Sequence, residues 1–372
     1  MTGPIVLTGG GTGGHVFPME AIADALRARG LAPDQLRYVG ARRGLEANVL
    51  ANQVVELTLL PGRGLQRSFH VRAILDNLSA LGGLTGAILI ALYRVGRWRP
   101  AAVVSVGGYA SFAAALAAVL WRRPLILVEL DAAPGAAQRA LGRFARRRCT
   151  AFPSDDPSAV LTGGPLRRSI LALDRTPDVR RAQRATLDPP IDARRRVIVV
   201  MTGSLGAASV NCATLELARL WADRDDRTLW HVTGRRDYLD VLAARPATTA
   251  LDYRLVDFAD MSVLWSVADA AVCRAGSTTI GELTALGIPS ILVPLPGAPG
   301  DHQTLNARSL VAAGGALLMR DNELSGASLA RALDAICSDE HHSSMSAAAA
   351  RAGHRDAAET IADVVLRVAS GV

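Results

Sequence analysis

The chain contains no lysine, and each of its 41 basic residues is an arginine. This absence excludes catalysis through a lysine Schiff base, and it excludes the phosphate-binding lysine of a Walker loop. Side-chain cations that bind anions must therefore be guanidinium groups, whose forked geometry suits phosphate. With a net charge of +7 over 372 residues, the protein is expected to meet phosphorylated or other anionic partners.

Cysteine and aromatic residues are also few. The four cysteines lack the spacing of a metal site or of a disulfide framework, which favours a reducing, cytoplasmic environment. Aromatic residues make up 4% of the chain, and no nucleic-acid-binding motif accompanies the basic charge. We therefore predict no metal site and no nucleic-acid partner.

Long apolar runs are missing as well. The first residues, "MTGPIVLTGGG", have no basic region and too short an apolar run for a signal peptide. The run "LTGAILIALY", residues 84–93, is too short to span a bilayer and precedes Arg94, Arg97 and Arg99. The sequence predicts neither a signal peptide nor a membrane-spanning helix.

Short apolar runs alternate with helical stretches in both halves of the chain. This alternation is typical of parallel sheets covered by helices on both faces. The predicted strands lie in "PIVLTG", "QLRYVGA", "VVELTLL", "AAVVSVGG", "PLILVEL", "RVIVVMTGS", "TLWHVTG", "YRLVDFA", "AAVCRAGS" and "SILVPLP". We predict an α/β protein with two Rossmann-like domains that face each other across a ligand-binding cleft.

The predicted boundaries follow from changes in composition. Residues 1–163 form the first domain, and the Pro- and Arg-rich residues 164–196 form an inter-domain segment with one helix. Residues 197–342 form the second domain. Residues 343–372 form one or two helices that could pack back on the first domain.

The stretch "GGGTGGHVFP", residues 9–18, follows the first predicted strand. Its glycines satisfy G-x-G-x-x-G and let the backbone approach an anion at a helix N-terminus. Arg42 and Arg43 replace the acidic residue expected after the second strand, so an NADP-binding protein is one alternative. His15 is a candidate general base, with a capping or packing role as the other interpretation.

Three polar stretches follow strands in the second half, namely "TGSLGA" (202–207), "CRAGSTTIGEL" (273–283) and "PGDHQTLNA" (299–307). The first two offer backbone N–H groups and hydroxyls to a diphosphate, and Glu282 could bind two ribose hydroxyls. Asp301, His302, Gln303 and Asn306 could contact a sugar. Each residue also has a structural interpretation as a cap, a turn or a solvated face.

Six motifs taken together resemble those of one enzyme family. "GGGTGGHVFP", "SVGGYAS", "GGPLR", "TGSLGA", "CRAGSTTIGE" and "DHQTLNA" occur in the order found in the MurG family of bacterial peptidoglycan N-acetylglucosaminyltransferases. The resemblance implies a GT-B fold and inverting transfer of GlcNAc from UDP-GlcNAc to the muramyl sugar of lipid I, an undecaprenyl-linked precursor. It implies neither a metal ion nor a cofactor.

The resemblance also implies roles for residues at matching positions. His15 is the candidate base, and Glu129 is an alternative. The acceptor side includes Gly108, Tyr109 and Asp131. The donor would contact Thr12, Gly13, Gly14, Arg167, Ser204, Phe258, Arg274, Ser277, Thr278, Thr279, Ile280, Gly281, Glu282 and Gln303.

One motif departs from the family pattern. The family usually has His-Glu-Gln-Asn after the fifth strand, where this chain has Val128, Glu129, Leu130 and Asp131. This departure permits a divergent acceptor. Another GT-B transferase, a UDP-GlcNAc 2-epimerase and an NADP-binding protein are the alternative functions.

The region Arg63–Arg99 mixes apolar residues with arginines. Such a segment could rest on an anionic membrane, or it could be a core-facing helix with a solvated edge. The lipid-linked acceptor implied by the resemblance favours the membrane. We therefore expect a peripheral protein on the cytoplasmic face of the plasma membrane.

Overall fold

The computed structural model describes residues 3–10, 13–42, 56–61, 71–203 and 205–371, without the side chains of 71–81. Thr12, Ser204 and the beginning of the Arg63–Arg99 region therefore lie outside the described residues. The chain divides into two compact units. The first unit contains Met1–Arg167 and Arg355–Val372, and the second contains Arg168–His354.

The first unit is built on a seven-stranded parallel sheet in the order β3-β2-β1-β4-β5-β6-β7. Its strands are β1 (Ile5–Thr8), β2 (Leu36–Ala41), β3 (Leu57–Leu60), β4 (Ala102–Ser105), β5 (Leu125–Glu129), β6 (Arg147–Thr150) and β7 (Ala159–Leu161). The helices among them are α1 (Gly13–Ala28), α2 (Val71–Trp98), α3 (Tyr109–Leu120) and α4 (Ala136–Leu141). A short 3₁₀ turn follows α4 at Gly142–Phe144.

Both faces of the sheet are buried at its centre, because β1, β4 and β5 are buried at every position and are mainly apolar. Ile5 and Leu7 pack with Ile22 of α1 in one core, whereas Val6 points to the other face. There Val6 packs with Ala91 of α2. Central strands that are buried on both faces need helices on both sides, as the sequence predicts.

Helix α2 presents one face to the core and another to solvent. Ala87, Ala91 and Val95 recur every four residues and are buried, whereas Leu89 and Tyr93 are exposed. Among the helices of the described residues, none has both the length and the apolar character needed to cross a bilayer. Helix α2 is thus an amphipathic element whose outward face is partly apolar.

The second unit repeats this architecture with a six-stranded parallel sheet in the order β10-β9-β8-β11-β12-β13. Its strands are β8 (Arg196–Met201), β9 (Arg227–Val232), β10 (Asp252–Val256), β11 (Ala270–Cys273), β12 (Ser290–Leu292) and β13 (Ala316–Leu318). Its helices are α5 (Arg168–Leu171), α6 (Pro177–Thr186), α7 (Ala208–Leu220), α8 (Tyr238–Ala243), α9 (Met261–Val267), α10 (Ser277–Leu286), α11 (His302–Ala312), α12 (Gly326–Ile336) and α13 (Asp339–Arg351).

The Arg-rich segment before β8 is held on the second unit by a buried carboxylate. Asp269 accepts hydrogen bonds from Arg180 and Arg184, each at 2.6 Å, and from the backbone N–H of Val197 at 2.8 Å. Arg175 donates to the carbonyls of Leu286 and Ala268. Most of the segment predicted from sequence to join the domains therefore packs as part of the second unit.

The last helix, α14 (Ala357–Ser370), returns to the first unit and packs on α1. Ile361 and Val365 are fully buried in the core that also contains Ile22. At the edge of this contact, Arg29 donates to both carboxylate oxygens of Asp363. Residues far apart in the sequence thus complete one core.

Replacement of Ile361 by alanine should destabilise the first unit by about 2–5 kcal/mol, because the lost methylene groups leave a cavity in a packed core. Urea denaturation followed by tryptophan fluorescence measures the change. The exposed Glu359→Ala on the same helix is the matched control and should shift the free energy of unfolding by about 0.5 kcal/mol or less. A loss below about 1 kcal/mol for Ile361→Ala would contradict the packing of α14.

Candidate functional site

Each sheet has a point where its strand order reverses, between β1 and β4 in the first unit and between β8 and β11 in the second. The loops that leave the carboxyl ends of the two strands at such a point diverge to opposite faces, and the space between them is where open α/β sheets bind ligands. The predicted glycine motifs follow these four strands. The topology therefore brings them together in pairs within each unit.

His15 lies over the loop after β4. A methyl group placed on Gly107 would lie 3.1 Å from Cδ2 and 3.2 Å from Nε2 of His15. A methyl group on Gly108 would collide with the carbonyl oxygen of Gly10 in the loop after β1. Glycine is needed at both positions because the two loops touch through their backbones. The half-buried imidazole is thereby positioned against the β4 loop.

Gln138, on α4, lies near Gly107 and was not predicted from the sequence. Its Nε2 lies 3.7 Å from the point where a methyl group on Gly107 would sit, and it donates to the carbonyl of Val128 at 2.9 Å. Gln138 and His15 are therefore both close to Gly107. Gln138 gives no distinctive signal in the sequence, because it stands beside Arg139 as one of two polar residues in the stretch "PGAAQRAL".

Glu129 is 3% exposed at the end of β5 and is paired with Arg148 of β6. The guanidinium donates from Nε and Nη2 to the two carboxylate oxygens, each at 2.9 Å. It also contacts Asp156. These hydrogen bonds, with burial opposing them, hold the pKa of Arg148 above its ordinary value. Glu129 thus belongs to a buried ion pair at the carboxyl end of β5.

The other predicted residues of the first unit surround the same edge of the sheet. Gly13 is the first residue of α1, Tyr109 is the first residue of α3, and Asp131 lies just beyond β5. The Arg167 guanidinium stacks over Phe17 of α1, with 4.7 Å between the carbon Cζ and the ring centroid. Gly14 follows Gly13 at the exposed start of α1.

The loop after β8 is packed tightly against the loop after β9. A methyl group on Gly234 would collide with the backbone of Gly206, and one on Gly206 would collide with the Asp237 carboxylate. Both glycines have a positive φ, 80° for Gly234 and 84° for Gly206. Glycine alone satisfies both the conformation and the contact.

A buried polar network supports this loop. The Asn211 amide donates to Asp237 at 3.0 Å and to the carbonyl of Thr233 at 3.2 Å, so its oxygen faces His231 Nε2 at 2.8 Å. His231 Nε2 must therefore carry the proton, and Nδ1 accepts from Tyr253 at 3.0 Å. Burial lowers the pKa of His231 to about 3, so the imidazole is neutral.

The loop after β11 leads directly into α10. Ser277, Thr278 and Thr279 form its half-buried first turn, followed by Ile280 and Gly281. The first backbone N–H groups of a helix lack intrahelical partners and attract anions. This turn is thus suited to hold a phosphate.

Arg274 ties three segments together. Its guanidinium contacts Asp321, donates to the Pro294 carbonyl at 3.1 Å and donates to the Ser209 hydroxyl at 3.1 Å. The sequence predicts a direct contact between Arg274 and the donor. In the structure, the side chain fixes the loop after β11 to α7 and to the segments after β12 and β13.

Glu282 is 4% exposed, and its carboxylate accepts a hydrogen bond from the indole Nε1 of Trp265 at 2.8 Å. Gln303 accepts from the backbone N–H of Leu295 at 2.9 Å. The buried amide of Asn306 donates to the Ala275 carbonyl at 3.2 Å. Helix α11 is thereby joined to both neighbouring loops, and Glu282 is held in a fixed orientation.

Phe258 lies after β10 with 60% of its surface exposed, and Arg235 stacks over its ring at 5.2 Å. Of the predicted donor residues, Gln303 lies in the first turn of α11, after β12, and Phe258 lies on the loop after β10. They are therefore on either side of the β8 and β11 loops. All the described donor residues of the second unit follow the carboxyl ends of strands. This placement was predicted from the motif positions.

Comparisons with known proteins give the family. The glycosyltransferase family 28 N-terminal domain matches residues 5–150, and the C-terminal domain of the same family matches residues 197–361. The UDP-N-acetylglucosamine–N-acetylmuramyl-(pentapeptide) pyrophosphoryl-undecaprenol N-acetylglucosamine transferase of Alkalilimnicola ehrlichii is 39% identical over 374 residues, covering 99% of this chain and 100% of the relative. The chain belongs to the MurG family.

Solved structures confirm the predicted GT-B fold. Acinetobacter baumannii MurG is similar with a TM-score of 0.75 and 25% identity, covering 98% of this chain and 99% of that one. A Neisseria meningitidis UDP-GlcNAc 2-epimerase bound to UDP-GlcNAc has a TM-score of 0.65 at 15% identity, covering 98% of this chain and 100% of that one. The epimerase likeness shows the shared fold alone.

The departure from the MurG pattern at the end of β5 changes how these residues pack. Val128 and Leu130, which replace the family's His and Gln, are buried in the apolar core. Glu129, the retained residue, keeps its ion pair with Arg148. Two polar positions of the MurG motif have therefore become packing positions in this chain.

The buried His231 should make the stability of the second unit depend on pH. An unfolded histidine has a pKa of about 6.5, whereas that of folded His231 is about 3. Between these values the unfolded chain binds the extra proton, so stability falls as the pH falls. This cost should reach about 2 kcal/mol between pH 7 and pH 5.

Urea denaturation at both pH values measures this cost in the original protein, in His231→Gln and in the exposed His341→Gln. His231→Gln should remove the loss of stability between pH 7 and pH 5 that comes from His231, whereas His341→Gln should retain that loss. Equal pH dependence of all three proteins would contradict the neutral, buried state of His231.

Proposed function

We propose that this protein transfers GlcNAc from UDP-GlcNAc to the muramyl sugar of undecaprenyl-pyrophosphoryl-MurNAc-pentapeptide, which converts lipid I to lipid II. The observation that carries this proposal is the 39% identity to the Alkalilimnicola ehrlichii transferase over 99% of the chain. The glycine and hydroxyl loops at both sheet reversals support it. No observation favours an NADP-binding function or an epimerase.

The second unit binds the donor. The N-terminal turn of α10, beginning at Ser277, faces the diphosphate with its backbone N–H groups and hydroxyls. The Glu282 carboxylate, oriented by Trp265, accepts the ribose hydroxyls. Gln303 binds GlcNAc, and the backbone at Phe258 meets the uracil. Arg274 acts as a positioning residue that holds the diphosphate loop.

Residues of the first unit complete the substrate contacts. By resemblance, Thr12, Gly13 and Gly14 approach the two pyrophosphates, and Arg167 contacts the donor. The stacking of Arg167 on Phe17 restricts the orientation of its guanidinium. Gly108, Tyr109 and Asp131 lie on the acceptor side.

His15 removes the proton of the acceptor hydroxyl. The hydroxyl oxygen forms a bond to the anomeric carbon while the bond from that carbon to the diphosphate oxygen breaks, and UDP leaves with the electron pair. The proton stays on the imidazole. One displacement inverts the anomeric carbon and needs no covalent intermediate.

The geometry favours His15 over Glu129 as the base. Both carboxylate oxygens of Glu129 are engaged by Arg148, and the side chain is buried below the loop. A carboxylate whose two oxygens are both held by one guanidinium is not free to turn towards an acceptor hydroxyl. Glu129 is instead a positioning residue that fixes the end of β5.

The protein binds the cytoplasmic face of the plasma membrane peripherally through the first unit. Leu89 and Tyr93 form an exposed stripe on α2, and Trp121 at the end of α3 is 53% exposed. Trp121 is fixed to α2, because its Nε1 donates to the Leu92 carbonyl at 2.9 Å. Arg97 and Arg122 add positive charge at this surface.

The test of the function is UDP release from UDP-GlcNAc with and without a lipid I analogue. We expect release that depends on the acceptor, and its absence would refute the transferase. His15→Ala should lower kcat by about 10²–10⁴-fold, the usual contribution of a general base. The KM for UDP-GlcNAc should change little, because the donor binds mainly to the second unit.

Two variants separate the base from its surroundings. Glu129→Gln keeps the size of the side chain but weakens the ion pair with Arg148, and its kcat should fall less than that of His15→Ala. A His15→Ala protein with full turnover and normal donor binding would remove His15 as the base.

The membrane contact is tested with Leu89→Ser/Tyr93→Ser in a vesicle sedimentation assay with anionic lipid. We expect weaker binding to vesicles, because these side chains would no longer bury apolar surface in the lipid. The control is Leu239→Ser/Leu242→Ser, which removes two exposed leucines from α8 of the second unit. Equal vesicle binding by the two double variants would contradict the assignment of the α2 surface.

A further inference from the structure

A pocket of 290 Å³ in the second unit takes no part in the proposed transfer, and six of its nine lining residues are arginines. Its charged lining consists of Arg180, Arg181, Arg184, Arg194, Arg195, Arg196 and Asp269. We call it the arginine pocket. It lies at the amino end of β8, about 17 Å along that strand from the loop that follows its carboxyl end.

The one carboxylate that lines the pocket does not neutralise its charge. Asp269 is 1% exposed, and its oxygens are occupied by Arg180, Arg184 and the Val197 N–H. Arg196 approaches the same carboxylate at 4.0 Å. Burial, with the charges of Arg180 and Arg196 added, holds the pKa of Arg184 below its ordinary value.

Three further acidic residues pair with arginines of the pocket but are not part of its lining. Asp178 pairs with Arg181, Asp192 with Arg194 and Asp339 with Arg196, and the three aspartate side chains are 87%, 42% and 93% exposed. Solvent and salt weaken such exposed pairs. Arg195 donates to the backbone carbonyls of Arg227 and Ala250. The pocket therefore retains an excess of positive charge.

The attachment of α6 to the second unit explains only some of the arginines in the pocket. Arg180 and Arg184 hold α6 on the second unit through Asp269. Arg181 and Arg194 contribute no such link, because each pairs with a carboxylate two or three residues away on its own segment. Their guanidinium groups nevertheless line the same pocket.

We propose that the arginine pocket binds a phosphate ester or diphosphate group. Guanidinium groups bind phosphate oxygens in a forked, charge-assisted manner. The volume is at the lower end of small-ligand pockets, which span about 300–1,000 Å³, and suits a headgroup better than a whole nucleotide. A soluble phosphate compound and an anionic phospholipid headgroup share this chemistry.

The test uses Arg181→Ser/Arg194→Ser, which removes two exposed pocket arginines. Arg331→Ser/Arg351→Ser is the control, because it removes the same charge from exposed positions elsewhere in the second unit. Titration calorimetry with inorganic pyrophosphate forms the first arm, with saturating UDP present to occupy the donor loops. Vesicles with and without phosphatidylglycerol form the second arm.

We expect the pocket variant to bind pyrophosphate at least about tenfold more weakly than the control, since it lacks two guanidinium groups that can donate charged hydrogen bonds to the anion. Weaker binding to phosphatidylglycerol vesicles, with or without the pyrophosphate effect, assigns the site to a lipid headgroup. An effect on pyrophosphate alone assigns it to a soluble phosphate. Equal behaviour of the pocket and control variants in both arms overturns the proposal.

Discussion

The reversal of strand order in each parallel sheet is the constraint on which the candidate sites depend. At β1 and β4, and again at β8 and β11, consecutive crossovers pass to opposite faces of the sheet. The loops at these points diverge and leave room for a ligand beside two helix N-termini. One topological rule, applied twice, thus produces two sheet edges that are suited to phosphate in a chain without lysine.

Close contacts between loop backbones fix the shape of the space at each reversal point. Gly108 touches the backbone of Gly10, and Gly234 touches that of Gly206, so each loop restricts its neighbour. Side chains further from the ligand fix the same loops. Asn211 donates to Asp237, which packs against the loop after β8, and Arg274 joins the loop after β11 to three other segments. Catalytic precision in this protein therefore depends on residues that need not contact substrate.

The sequence predicted the features that local patterns encode. Apolar runs predicted β1–β5 and β8–β12, and the motif order predicted the family and the position of each glycine loop. It did not predict β6, β7 or β13, which are short and lie at or next to sheet edges. The pairing of Glu129 with Arg148 and the position of Gln138 near Gly107 depend on tertiary packing, which residue spacing does not encode.

The return of α14 to the first unit has a consequence for biosynthesis. Residues 168–354 are complete as a contact unit before residues 355–372 leave the ribosome, whereas the first unit then still lacks Ile361 and Val365 from its core. The amino-terminal unit therefore cannot complete its core until the last residues of the chain have been made. Until then, a nascent first unit exposes the apolar surface that Ile361 and Val365 cover in the folded protein.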